Sequence, residues 1–178
     1  FYVEWFRNFI FGNFGTCTYC GSDTGTSVDH VIPVNWFSKR GSRQAQQTGS
    51  GIRTWACLAC NSGLGDKFFD TFSDRTFYVE RFLRRRYSRT LSCEDWEPSE
   101  IAELSGKLKS YVLNAQKELE LVRSMVEWRN SDEFYRNLEG LLYQPCLDPM
   151  DQKYSDLVAK YFEAELPLIG SLIIESNL

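Results

Sequence analysis

The sequence predicts an α+β protein in which a small zinc-fixed module sits within a mainly helical body. Three observations carry that expectation. Two cysteine pairs, CTYC at Cys17 and Cys20 and CLAC at Cys57 and Cys60, flank a strand-like run, SVDHVIPV. Downstream of Trp96, apolar residues recur with a helical period for about eight turns. The chain has 178 residues, 43% hydrophobic and 15% aromatic, which is enough to bury a core.

Residues 1–15 open with FYVEWFRNFIFGNF, which reads as an amphipathic aromatic helix packed on the core. Glu4 and Arg7 interrupt its apolar character, and it has neither a basic leader nor a small-residue cleavage site. No run has the apolar length needed to cross a bilayer, so no membrane partner is expected and the expected compartment is the cytoplasm.

The net charge of -4 argues against a polyanionic partner until the chain is divided. Residues 1–90 carry 12 Lys/Arg against 7 Asp/Glu, and residues 91–178 carry 8 against 17. The first half can meet a nucleic acid; the second would repel one.

The four paired cysteines have the spacing of two zinc knuckles, with Cys17, Cys20, Cys57 and Cys60 as thiolate ligands of one structural Zn²⁺. Two disulfides are the alternative. The knuckles are 36 residues apart, so a segment is inserted between them, and that segment holds the chain's only histidine, His30. Cys93 and Cys146 read as ordinary thiols.

Taken together, CTYC, SVDHVIPV and ACLACNSGLGDK resemble the zinc-stabilised HNH endonucleases, especially the small phage and bacterial ones. The resemblance covers Thr16 to Lys67. It implies a ββα-metal, treble-clef-like module spanning residues 16–92 with the basic helix that follows: a hairpin bearing Asp29 and His30, then a helix beginning near Cys60 that carries Asn61. It also implies metal-dependent cleavage or nicking of DNA, in a bacterial or phage-infected cell. His30 would be the general base, and Asp29 and Asn61 the ligands of a catalytic Mg²⁺ or Mn²⁺. Many relatives have an asparagine about five residues before the third cysteine, where this chain has Ile52.

The chemistry agrees with those assignments. Phosphodiester hydrolysis needs a base to activate water and a cation to offset growing charge. An imidazole is basic yet largely neutral near pH 7, and hard cations prefer oxygen ligands such as a carboxylate and an amide carbonyl. Asp29 and His30 are neighbours, however, and successive side chains of a regular strand face opposite ways; Pro33 makes an irregular strand end the expected remedy. A core or capping role is the alternative for His30, and an N-cap role for Asn61.

Between the knuckles, residues 38–51 read as a polar loop on which Lys39, Arg40 and Arg43 suit phosphate contact. From Ser73 to Thr90 an amphipathic helix is expected. Tyr78, Val79, Phe82, Leu83 and Tyr87 lie on one face, and Arg81, Arg84, Arg85 and Arg89 mostly on the other. With Lys67, its basic face is the expected DNA contact, a solvated face being the alternative.

Residues 93–178 form an acidic helical region. Ile101, Leu104, Leu108, Tyr111, Val112, Ala115, Leu119, Val122 and Val126 predict one long helix, followed by helices over Asp132 to Tyr143 and Asp151 to Leu166. The acidic helices are a candidate surface for a homodimer or a protein partner. A zinc-fold module that binds without cutting, as an inhibitor, an adaptor or a DNA-binding protein, is the rival to a nuclease. The closing LPLIGSLIIESNL reads equally as strand or docking tail.

Overall fold

The computed structural model describes residues 10–31, 52–139, 156 and 159–176, with side chains to 172. The fold is α+β and mainly helical. Its strands are β1 (Ile10–Phe11), β2 (Ser27–His30) and β3 (Arg53–Ala56), in the order β1-β3-β2. β2 and β3 are antiparallel, with Ser27 opposite Ala56, Val28 opposite Trp55, Asp29 opposite Thr54 and His30 opposite Arg53. β1 runs parallel to β3.

Ile10 and Phe11 are therefore strand, where a helix over residues 1–15 was expected; residues 1–9 lie outside the described part. The reason is tertiary. Phe11 packs into the core at 2% exposure, and its carbonyl accepts from the Thr54 hydroxyl at 3.0 Å.

Seven helices have both ends among the described residues. The first, α1 (Leu58–Leu64), comes straight out of β3, with Cys57 rather than Asn61 as its N-cap. Next, α2 (Phe72–Arg86) is capped by Thr71, whose hydroxyl accepts from the Asp74 amide at 3.0 Å. A short α3 (Ser88–Leu91) continues it after a break at Tyr87.

The expected long helix is two helices, α4 (Pro98–Glu103) and α5 (Gly106–Glu127). Leu104 and Ser105 are extended, and Gly106 re-enters at φ +60°, which a glycine adopts without strain. The apolar period continues across the break, so the pattern alone did not show it. Val112, Leu119, Val122 and Val126 are buried as expected, while Leu108 and Tyr111 are exposed.

A 3₁₀ turn (Trp128–Asn130) leads into α6 (Asp132–Asn137), which ends before the predicted Tyr143; residues 140–155 lie outside the described part. Described residues of the predicted Asp151–Leu166 helix are helical to Tyr161, and then a turn spans 162–165. The closing segment is neither strand nor tail but helix α7 (Leu166–Ser176).

One hydrophobic cluster runs through both halves of the chain. Phe11 and Phe72 from the basic half meet Phe134, Tyr161, Phe162 and Ile169 from the acidic half. Ring centroids of Phe72 and Phe162 are 5.0 Å apart, and those of Phe11 and Phe72 are 6.4 Å apart in an edge-on arrangement. The boundary drawn at 92–93 thus separates α3 from α4 without separating two cores.

Candidate functional site

The two knuckles converge. The Sγ atoms of Cys17, Cys20, Cys57 and Cys60 all lie within 4.8 Å of one another, and all four residues are buried. Zinc–sulfur bonds of about 2.3 Å in a tetrahedron put sulfurs about 3.8 Å apart. Cys20 Sγ and Cys57 Sγ are 3.8 Å apart. The donor set therefore fits one closed, structural zinc, with no position left for a substrate.

Local structure explains the convergence. After CTYC, the Gly21 amide donates to the Cys17 carbonyl at 2.8 Å, and Gly21 sits at φ +68°, closing the turn that aims both sulfurs the same way. At the second knuckle, the Cys57 sulfur accepts from the Cys60 amide at 3.4 Å and so caps α1. Hydrogen bonds among the sulfurs push the Cys17 and Cys60 thiols up and the Cys20 and Cys57 thiols down. Four protons cannot all leave such a cluster without a cation to take their place.

β2 divides its two chemical residues between the faces of the sheet. Asp29 points inward and is 5% exposed; His30 points outward and is exposed. No irregularity at the strand end brings them to one side, because the ladder to β3 persists through His30 and the Val31 amide still donates to the Ile52 carbonyl at 2.8 Å. Ile52, where the HNH resemblance would have an asparagine, is itself buried.

Asp29 is fully engaged inside. Arg75 Nη2 donates to its Oδ1 at 2.8 Å and its Oδ2 at 2.7 Å, and the Tyr19 hydroxyl also donates to Oδ2. Arg75 Nε donates to the Tyr19 oxygen at 3.0 Å, which closes a three-residue ring. Burial pushes the Tyr19 phenol up, keeping it a donor. Burial works to lower the pKa of Arg75, but Tyr19 and Asp29 outweigh it and raise it. A divalent ion does not fit this carboxylate as placed: both oxygens are occupied, and a guanidinium lies against them.

Asn61 reaches back from α1 to β2. Its amide nitrogen donates to Ser27 Oγ at 3.1 Å and, more weakly, to the Val28 carbonyl at 3.4 Å. It ties helix to strand and is not a cap. Asn61 and Asp29 are both near β2, but among the described residues no contact joins them.

On the outer face, His30 stands directly across from Arg53, and its imidazole has no hydrogen-bond partner among the described residues. Two residues along, Trp55 packs edge-on against Phe14, with centroids 4.7 Å apart. Of the expected DNA contacts, Arg81, Arg84 and Arg85 are exposed on α2, with Arg84 paired to Glu80 at 2.9 Å. Lys67 bonds the Gly63 and Leu64 carbonyls at the end of α1. Lys39, Arg40 and Arg43 lie outside the described residues.

Sequence reasoning missed Arg75 and Tyr19. One signal was available: Phe72, Arg75, Thr76, Val79 and Leu83 share the buried face of α2, and an arginine on such a face requires a buried counter-charge. Among the described residues, no helix is long and apolar enough to cross a membrane. Compared with known proteins, the chain matches no family model, no curated protein and no solved structure.

Proposed function

We propose that the chain is a zinc-held nuclease module of the HNH kind, cleaving or nicking DNA with His30 as general base. The observation that supports it best is the placing of that side chain. His30 is exposed on the outer sheet face, without a hydrogen-bond partner among the described residues, opposite Arg53 in a strand fastened to α1 beside a four-cysteine cluster. A base must reach water and substrate, and this one is not used by the core.

In this reading, His30 takes a proton from the attacking water as the new oxygen–phosphorus bond forms. The ester bond to the leaving oxygen then breaks, and that oxygen takes a proton from solvent. Arg53, across the ladder from His30, adds positive charge on the same sheet face. The basic face of α2, with Arg81, Arg84 and Arg85, follows the backbone of the nucleic acid together with Lys67, Lys39, Arg40 and Arg43. Zn²⁺ holds the frame. Mg²⁺ or Mn²⁺, when bound, would supply a Lewis acid, with the Asn61 amide as a candidate ligand; Asp29 could join it only by giving up Arg75.

One observation favours a second reading. The closed Asp29–Arg75–Tyr19 ring suits a zinc-fold module that binds without cutting and offers its acidic helices to a second copy or a basic protein partner.

Supercoiled plasmid decides between them. The zinc-loaded chain is expected to produce relaxed circles when Mg²⁺ or Mn²⁺ is added and not in its absence. His30→Ala should reduce the rate by roughly two to four orders of magnitude while leaving zinc content and DNA binding unchanged. A folded wild-type chain that cuts nothing, or a His30→Ala chain that cuts equally well, would exclude the nuclease.

A further inference from the structure

Arg75 is a cation on the buried face of an amphipathic helix, 1% exposed. Its surroundings are built to keep it there. It bonds both oxygens of Asp29 and the oxygen of Tyr19, and the rings of Tyr19 and Phe69 lie 5.7 and 5.5 Å from its guanidinium carbon. A carboxylate enclosed in this way already has its counter-ion. A divalent cation on the same oxygens would stand beside a positive charge in a medium that screens it poorly.

We propose that Arg75 is the resident cation of this site, holding the position a hard divalent ion would take on Asp29, so that the two exclude one another. Asp29 then serves as an anchor for the end of β2. Because neighbouring strand side chains alternate, pinning Asp29 inward turns His30 outward. Arg75 is in this sense a positioning residue for His30, acting through Asp29. The inference deepens the nuclease reading by placing no ion on Asp29. Its test reads ion binding rather than cleavage, so either can fail without the other.

Manganese followed by its electron paramagnetic resonance signal gives the test on the full, zinc-loaded chain. The wild type should hold no Mn²⁺ that Asp29→Asn removes. Arg75→Met should gain one Mn²⁺ per chain, bound at least about ten-fold tighter than any wild-type ion, and the double variant Asp29→Asn/Arg75→Met should lose it again. A wild-type Mn²⁺ removed by Asp29→Asn overturns the proposal. So does a folded, zinc-bearing Arg75→Met chain that gains none. Should Arg75→Met fail to fold, the wild type still decides through the Nε–H resonance of the buried Arg75. A signal that exchanges slowly and is unmoved by added Mg²⁺ supports Arg75 as resident; one displaced by Mg²⁺ overturns it.

Discussion

Asp29 and Arg75 are each 5% exposed or less, and the value of their contact depends on keeping both. Removing one partner of a buried pair leaves the other charged and unpaired, at a cost of about 3–5 kcal/mol. Asp29→Asn and Arg75→Met should each lower unfolding free energy in urea by about that amount, whereas the double variant should recover most of the loss. Additive losses would mean that the two side chains contribute independently. At this scale the cysteines were legible, because each knuckle is a local spacing of two residues around a turn. The partner of Asp29 was not: it lies 46 residues away on a helix, and the strand residue itself carries no mark of which charge it will meet.

The first knuckle is locked to the far end of the long α5 helix. Trp128 Nε1 donates to the Thr18 carbonyl at 2.9 Å, and its ring lies against Gly21. A Cβ on Gly21 would come within 2.3 Å of the Trp128 ring, at a positive φ that side chains rarely adopt. Gly21→Ala should therefore cost about 2–4 kcal/mol and loosen zinc retention, as followed by chelator-induced zinc release. Release at the wild-type rate would show that the helix does not brace the knuckle. Among the elements, α2 and the bulk of α5 could be read from their period. β1 could not, since a two-residue strand has no pattern and its register is set by β3, 43 residues on. The apolar LPLIGSLIIES could not either, because continuous hydrophobicity does not distinguish strand from helix without its neighbours.

Across the whole molecule, the acidic half closes over the basic half, and charge asymmetry along the sequence gave no hint that they share a core. Tyr161 donates to the Val31 carbonyl at 3.0 Å, just past His30, so the C-terminal segment also fixes the end of β2. Four residues on, Glu165 is buried with Oε2 unbonded, and burial pushes its carboxyl up to about 7, with Arg129 opposing and Asp74 adding to the rise. The folded chain therefore keeps a proton that the unfolded chain releases above about pH 4.5. The contribution of Glu165 to stability should be greatest below that pH and fall, by on the order of 2 kcal/mol after solvent screening, as pH rises to about 7. Glu165→Gln should flatten this part of the urea-unfolding profile; an unchanged slope would mean that Glu165 finds a counter-charge.

Zinc stoichiometry tests the four-sulfur frame, on which both the fold of the module and the placing of His30 depend. Elemental analysis of the chain purified under reducing conditions should give one zinc per molecule, with Cys17, Cys20, Cys57 and Cys60 protected from alkylation. Cys60→Ser should lose both the metal and the cooperative unfolding of the module. A folded chain without zinc, or one whose four cysteines are found as two disulfides, would contradict the frame.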